Sequence, residues 1–149
     1  MKKIVILNGP NLHRLVSRES NLYGTVTLPD LNQQLIQQAA ASGFLLSCIQ
    51  TNNEEQFIDA IYQVADDQAV GLIVNAAAFT HTSIAIRDAL LAVALPFIEV
   101  HITNIYAREI FRQHSYLSDI AQGIIVGLGV NGYALALQAL IAQQQQQSI

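Results

Sequence analysis

The chain has 149 residues, 52% apolar and 12% charged, and its 7 basic and 11 acidic side chains give a net charge of −4 at neutral pH. This length predicts a single domain over residues 1–149, because domains typically contain about 100 to 150 residues. The composition argues against a disordered chain and against nucleic-acid binding through a basic face. Soluble proteins usually contain about 25% charged residues. We therefore expect much of the surface of this weakly charged chain to be covered in an oligomer.

The sequence predicts neither a membrane span nor a signal peptide. The longest nearly uninterrupted apolar stretch, Ala89–Ile98, contains Pro96 and is well short of the roughly 18 to 20 residues that cross a bilayer. The apolar run at residues 4–7 is too short for a signal peptide. The single cysteine, Cys48, cannot form an internal disulfide and lies in an apolar run. We therefore expect a core thiol in a cytoplasmic protein with no membrane partner.

Short β-branched runs alternate with longer segments of helical periodicity. Strands buried on both faces are predicted at residues 4–7, 44–49, 70–74, 96–100 and 123–127. Helices, in which apolar residues recur at spacings of three and four, are predicted at residues 28–42, 54–65, 82–93 and 131–144. The glutamine-rich end, residues 143–149, is expected to be a frayed tail.

The first predicted helix has clear signals at both ends. Thr27 supplies a capping side chain, Pro29 lies in the first turn, and Asp30 places a carboxylate near the positive end of the helix dipole. Gly43 follows in the position favoured for a left-handed cap. The alternation of strands and helices predicts an α/β, flavodoxin-like fold: a five-stranded parallel sheet of order 2-1-3-4-5 with helices on both faces.

Ligands of such sheets bind beyond the carboxyl ends of the strands. The corresponding loops are residues 8–24, 51–53, 75–83 and 101–116. They contain most of the arginines and all of the histidines, namely Arg14, Arg18, Arg108, Arg112, His13, His81, His101 and His114. The remaining arginine, Arg87, follows strand three on a helix. Arginine suits carboxylates and phosphates, so an anionic substrate is indicated, with an intersubunit salt-bridge network as the alternative.

Glu99 and His101 are the strongest acid–base candidates. Their spacing of two residues places a carboxylate and an imidazole on the same side of a strand end. A carboxylate beside an imidazole raises its basicity and fixes its orientation, which suits a general acid or base near neutral pH. A metal site formed with His81 is the alternative, but the surrounding asparagine, threonine and arginine residues favour a charged organic ligand.

The first loop is long for a connection between a strand and a helix, where about 2 to 6 residues are usual, and loops of this length are commonly lids. It contains Tyr23, five residues after Arg18. A tyrosine can act as a base if a nearby guanidinium lowers its pKa; the alternative for Tyr23 is a packing aromatic. The loop has no nucleotide-binding glycine motif.

Six sequence blocks resemble type II 3-dehydroquinate dehydratase. They are residues 7–12 (LNGPNL), 18–19 with 23–24 (RE and YG), 75–83 (NAAAFTHTS), 87–89 (RDA), 98–105 (IEVHITNI) and 108–112 (REIFR). The resemblance extends from Ile4 to about Leu140 without a large insertion. It implies a flavodoxin-like lyase that dehydrates 3-dehydroquinate to 3-dehydroshikimate in the shikimate pathway, which leads to chorismate and the aromatic amino acids. It also implies a homododecamer built as a tetramer of trimers.

The resemblance assigns the proton-transfer residues block by block. Tyr23 is similar to the base that removes a proton from C2 of the substrate, and Arg18 to the lid cation that favours the tyrosinate. His101 would protonate the leaving C1 hydroxyl, with Glu99 as its orienting carboxylate. Asn11 would help to hold a water against the developing enolate oxygen. This chemistry requires no metal or other cofactor.

The resemblance also assigns the binding residues. Asn75 and the backbone amides of Ile102 and Thr103 would take the substrate carboxylate. The remaining contacts fall to His81 and Arg112, for the ring hydroxyls, and to Asp88, from a neighbouring subunit. The unrelated type I reaction uses a buried lysine, whereas the lysines of this chain are Lys2 and Lys3, at the wrong end of strand one.

The sequence departs from the family pattern at Val16 and Ser20, where the lid usually has glycine and proline, and at Thr103, which replaces a serine. Two other classes of function stay open beside the family reading. One is a catalytically weak paralogue that binds a small anionic ligand or a partner protein. The other is a flavin- or nucleotide-binding module, which the missing phosphate loop disfavours.

Overall fold

The computed structural model describes residues 1–15 and 25–147. Within them, five strands form one sheet: β1 (Lys3–Asn8), β2 (Leu45–Gln50), β3 (Gly71–Asn75), β4 (Phe97–His101) and β5 (Gly123–Val126). All pairings are parallel, and the strand order is β2-β1-β3-β4-β5. The predicted flavodoxin-like topology is therefore confirmed.

The helices are α1 (Leu28–Ala41), α2 (Glu54–Asp66), α3 (Ile84–Val93) and α4 (Asn131–Gln147). The predicted signals around α1 are confirmed: the Thr27 hydroxyl accepts a hydrogen bond from the Asp30 amide at 3.2 Å, and Gly43 has a φ of +81°. The Asn53 side chain caps α2 in the same way by accepting from the Gln56 amide at 2.9 Å. Both of these helices therefore begin where a side chain satisfies one of the first free amides.

The helices cover both faces of the sheet, because successive strand residues point to opposite sides. Ile4 and Ile6 of β1 pack in one buried cluster with α1 and α4. Val5 and Leu7 pack in the other cluster, with α2 and α3. Cys48 is partly buried against the first cluster, and this burial raises the pKa of its thiol to about 11. That environment fits the predicted structural thiol.

The start of one predicted helix and the burial of two predicted strands differ from the structure. The third helix begins at Ile84 rather than residue 82, because the Ser83 hydroxyl accepts from the Ile86 amide and caps the helix there. β2 and β5 are not buried on both faces, since they form the two edges of the sheet. Leu45 and Ile124 on these strands are accordingly exposed.

The expected fraying from residue 143 is also wrong for residues 143–147, which continue α4. Gln144 lies on the buried face of that helix, and its side-chain oxygen accepts a hydrogen bond from the Lys2 ammonium at 3.2 Å. This contact joins the residue before β1 to α4. No helix in the described part of the chain is long and apolar enough to cross a membrane.

Candidate active site

Three polar residues terminate neighbouring strands at the same edge of the sheet. Asn8 ends β1, Asn75 ends β3 and His101 ends β4, and Asn8 lies directly opposite Asn75 in the strand register. The loop after β1 can approach β3 closely because residue 9 is glycine: a Cβ atom there would lie 2.3 Å from the carbonyl oxygen of Ala76. The edge is thus compact enough for several strand ends to contact one small ligand.

A small cavity opens at this edge. Its lining includes six of the predicted site residues, namely Asn75, His81, His101, Ile102, Thr103 and Arg112, together with Arg108. The cavity therefore combines amide, imidazole and guanidinium groups with the backbone that follows β4. Such a set suits a small polar anion.

Glu99 and His101 form a buried pair behind the cavity. The Glu99 side chain is fully buried and that of His101 is 5% exposed, and Nε2 of the imidazole contacts Oε2 of the carboxylate. Burial alone would raise the pKa of Glu99, but hydrogen bonds from His101, Ser118 and Ser115 outweigh it and hold this pKa below its ordinary value. The carboxylate is therefore ionised at neutral pH. It accepts a hydrogen bond from Nε2 of His101, so the second ring nitrogen, Nδ1, is not used in this contact.

His81 lies beside His101, with ring centroids 6.4 Å apart and planes inclined by 20°. Its Nδ1 donates a hydrogen bond to the carbonyl oxygen of His114 at 2.8 Å, which leaves Nε2 as the acceptor of the neutral ring. Burial lowers the pKa of His81, and the charges of His101 and Arg112 lower it further. His81 is thus suited to accept a hydrogen bond from a ligand hydroxyl.

Two arginines from the loop after β4 supply positive charge. Arg108 Nη1 donates to the Thr103 hydroxyl at 3.3 Å. Arg112 Nε donates to Oε2 of Glu109 at 2.7 Å, and its guanidinium lies 5.2 Å from the centre of the Phe111 ring. Because both side chains line the cavity and have contacts within their own loop, they present oriented cations to a ligand.

A buried hydrogen-bond chain fixes Asn75. Its Nδ2 donates to the Tyr133 hydroxyl at 2.8 Å, and this hydroxyl donates to Oδ1 of Asn8 at 2.6 Å. The Ala77 amide, in a left-handed backbone conformation with φ of +51°, donates to Oδ1 of Asn75 at 3.1 Å. Both ends of the carboxamide are therefore oriented, and Nδ2 has a second hydrogen that a ligand carboxylate can accept.

Sequence reasoning missed Tyr133 and Ser118. Tyr133 is fully buried in α4, and the available signal was a phenol on a helix face that otherwise carries aliphatic residues, since a buried tyrosine hydroxyl needs a partner. Ser118 donates to Oε1 of Glu99 at 2.8 Å. A serine in a polar loop 19 residues away carries no comparable signal.

Several predicted residues do not line the cavity. Asn11 is exposed and has a left-handed backbone with φ of +71°, and its amide donates to Oδ1 of Asn52 at 2.9 Å. Asp88 is exposed on α3.

Tyr23 and Arg18 lie outside the described residues. Four further basic residues singled out from the sequence also lie outside the cavity. Arg14 and His13 are exposed, and His114 contributes its carbonyl oxygen. Arg87 pairs with Asp119 of the same chain.

The alternative of a metal site receives no support from the geometry. Within residues 1–15 and 25–147, no group of three His, Cys, Asp or Glu side chains is arranged to hold a metal ion. Glu99 instead directs one oxygen to His101 and the other to Ser118. The arrangement is that of a hydrogen-bonded carboxylate and imidazole.

Fold and site together define a flavodoxin-like α/β protein with a buried glutamate–histidine pair at the carboxyl edge of its sheet. The model of the family "Dehydroquinase class II" matches residues 2–141, and the chain belongs to this family. It is 57% identical to the 3-dehydroquinate dehydratase of Legionella pneumophila strain Corby, over 96% of this chain and 99% of that protein. It is 54% identical to the enzyme of the same name from Actinobacillus pleuropneumoniae serotype 5b, over 97% and 94% of the two chains.

Solved structures show the same relationship. The type II dehydroquinase from Propionibacterium acnes superimposes with a TM-score of 0.91 at 47% identity, covering 95% of this chain and 97% of that one. The type II dehydroquinase from Butyrivibrio crossotus also has a TM-score of 0.91, at 38% identity, covering 93% and 97%. The family resemblance identified from six sequence blocks is therefore confirmed over nearly the full chain.

Proposed function

We propose that this protein is a lyase that dehydrates 3-dehydroquinate to 3-dehydroshikimate by way of an enolate. A base removes a proton from C2, the electron pair moves toward the neighbouring ketone, and the enolate then expels the C1 hydroxyl. An acid protonates that hydroxyl, so it leaves as water. The observation that carries this proposal is the buried Glu99–His101 pair at a cavity lined by arginine and amide side chains.

His101 is the proposed acid. Its contact with Glu99 fixes the ring in one orientation, and a positioned imidazole can give a proton to the leaving hydroxyl. The buried position of both side chains supports this role, because proton transfer is most effective between groups whose geometry is fixed before the reaction.

Tyr23 is the proposed base, and Arg18 the cation that favours its tyrosinate form. Asn11 is proposed to hold a water near the enolate oxygen. These roles rest on the family membership and on the sequence blocks that contain the three residues.

The substrate carboxylate is proposed to bind Asn75 and the backbone amides of Ile102 and Thr103. The fixed carboxamide of Asn75 supports this assignment. His81 and Arg112 are proposed to contact the ring hydroxyls, since His81 has an acceptor nitrogen and Arg112 is a donor. Asp88 is exposed on α3 and is proposed to reach the site of a neighbouring subunit.

We further propose a homododecamer, a tetramer of trimers, that acts in the cytoplasm in the shikimate pathway. The low charge of the chain supports extensive subunit contacts. So do the large apolar side chains that one subunit exposes, among them Ile84, Leu91, Tyr106, Ile110 and Phe111.

An assay with 3-dehydroquinate that follows the conjugated enone of the product tests the proposed function. Wild-type protein is expected to turn over substrate without added metal. His101→Ala should lower kcat by about 10²-fold to 10⁴-fold, the usual contribution of a positioned acid or base, and Tyr23→Phe should abolish turnover. Activity of Tyr23→Phe at the wild-type level would refute the assignment of the base. Substrate that raises the Tm of the wild-type protein without turnover would instead favour the weak paralogue.

A further inference from the structure

Each oxygen of the Glu99 carboxylate has a hydrogen-bond partner. The proposed mechanism gives a role to one partner, His101, and none to the other. Oε2 contacts His101, whereas Oε1 accepts a hydrogen bond from the Ser118 hydroxyl at 2.8 Å. A fully buried carboxylate with one oxygen unpaired would carry a large desolvation cost. The orientation of Oε2 toward the imidazole therefore depends on what holds Oε1.

We propose that Ser118 is a positioning residue for proton transfer: its hydroxyl holds Oε1 of Glu99 so that Oε2 faces His101. This inference rests on the proposed function, because it gives Ser118 a role through the proposed acid. The serine does not line the cavity of the candidate site. It lies instead in a surface groove beside Ser115 and Asp119.

Arg87 braces the turn that carries Ser118. Its Nη1 donates to the carbonyl oxygen of Tyr116 at 2.8 Å, and its Nη2 donates to Oδ2 of Asp119 at 3.0 Å. The guanidinium thus holds the turn on both sides of Ser118. Leu117 is fully buried between these contacts and anchors the same turn in the core.

A second connection joins this segment to the loop after β3. The Tyr116 amide donates to the Thr80 carbonyl oxygen at 2.9 Å, and His81 Nδ1 donates to the His114 carbonyl oxygen. The segment that positions Ser118 is therefore tied to the loop that carries His81. Arg87, which sequence reasoning assigned to an anionic ligand or an intersubunit ion pair, makes these contacts within its own chain.

The charge environment gives the proposal a measurable consequence. Among the described residues, Ser118 and Ser115 face Glu99 from this segment and His101 from its own strand, and the charge of Glu99 also acts on His81, beside Arg112. A hydroxyl that donates to a carboxylate stabilises its ionised form. Loss of the Ser118 hydroxyl should therefore raise the pKa of Glu99.

The direct test is a titration of Glu99 without substrate. Protein containing ¹³C-labelled glutamate is followed by NMR from pH 2.5 to 8, and the Glu99 signal is assigned by its absence in Glu99→Gln. Ser118→Ala should raise the Glu99 pKa by about one pH unit, since a hydrogen bond to a charged group has roughly that effect. Ser118→Thr keeps the hydroxyl at the wall of this surface groove and should retain the wild-type titration.

The kinetic test uses the same variants. Ser118→Ala should lower kcat about tenfold at neutral pH with little change in KM, and move the acidic limb of the kcat profile to higher pH. Ser47→Ala, which removes a half-buried hydroxyl on β2, is the matched control and should behave as wild type. Should Ser118→Ala fail to fold, Arg87→Gln loosens the same turn from outside and should give a smaller shift in the same direction.

The outcomes separate this proposal from the proposed function. An unchanged Glu99 titration in Ser118→Ala, or a kcat loss that is uniform with pH and not restored by Ser118→Thr, would overturn the role of Ser118. Wild-type protein without turnover of 3-dehydroquinate would overturn the proposed function, and the NMR titration would still decide whether Ser118 controls Glu99.

Discussion

Two buried polar clusters lie at the same edge of the sheet, and they differ in charge. The amide cluster, Asn8, Asn75 and Tyr133, is neutral and joins β1, β3 and α4. The acid cluster, Glu99, His101 and Ser118, contains a carboxylate and an imidazole. The difference shows how one edge can supply both a fixed hydrogen-bonding geometry and a group whose charge changes with pH.

Burial affects the ionisable groups of the two clusters differently. Burial raises the pKa of Tyr133 above its ordinary range, so its hydroxyl stays protonated and continues to donate to Asn8. Glu99 is buried just as deeply, but its hydrogen bonds outweigh the desolvation and keep its pKa low. The acid cluster therefore holds a charge in the interior, which is stable only while each partner of the carboxylate is present.

The largest effect is expected in the acid cluster. Glu99→Gln removes the carboxylate charge and should lower the free energy of unfolding at pH 7 by about 3 kcal/mol, because it weakens the buried hydrogen bonds that His101 and Ser118 make to that charge. Because the folded pKa of Glu99 lies below the ordinary value of 4.5, this contribution is fully present above that pH and is lost as pH falls through the folded pKa. The stability gap between wild type and variant should therefore shrink toward pH 3.

Urea unfolding of both proteins at pH 7, 5, 4 and 3 measures this gap directly. Two ion pairs with exposed carboxylates, Arg87–Asp119 and Arg112–Glu109, also respond to pH. They are present in both the wild type and the variant, so their contributions cancel in the stability difference. A gap of the same size at pH 7 and pH 3 would contradict the assignment of a charged, stabilising Glu99.

A smaller effect, without pH dependence, is expected in the amide cluster. Tyr133→Phe removes one hydroxyl and leaves Oδ1 of Asn8 and Nδ2 of Asn75 without their partner, at a cost of about 2 kcal/mol. Because the carboxamide of Asn75 is then less well oriented, KM for 3-dehydroquinate should rise more than kcat falls.

Tyr62→Phe is the matched control for this prediction, since Tyr62 is 44% exposed on α2. It should change neither stability nor KM appreciably. If Tyr133→Phe lost the same stability as predicted but kept the wild-type KM, the amide cluster would serve the fold alone and not the binding of substrate.

The two clusters also mark where sequence reasoning succeeded and failed. The strand order, the helices and the loops that form the site could be predicted, because alternating periodicity and capping residues are local signals. The Glu99–His101 pair could be predicted too, since residues two apart on a strand share a face. The exposed edge strands and the helical glutamines after residue 143 could not, because they depend on which elements pack against them.

The missed residues share one cause. Tyr133 contacts Asn75 across 58 residues of sequence and Asn8 across 125, so it is the tertiary fold that brings them together. Ser118 reaches Glu99 from a loop whose path is set by Arg87 and a buried leucine. A sequence can indicate that a buried polar group needs partners, but packing decides which residues provide them.

The smallest effect is expected where a hydrogen bond of the same sheet edge is exposed. The Asn52 side-chain oxygen accepts from the Asn11 amide at 2.9 Å and from Gln50 Nε2 at 3.1 Å, both in contact with solvent. Asn52→Ala should therefore cost about 0.5 to 1 kcal/mol, because water replaces the lost partner. Asn52→Asp keeps an acceptor oxygen and should cost less. Urea unfolding of the two Asn52 variants and of Tyr133→Phe measures the three losses of stability. If burial sets the energy of these hydrogen bonds, Asn52→Ala should lose less than Tyr133→Phe. An equal loss in the two variants would show that burial does not set this energy.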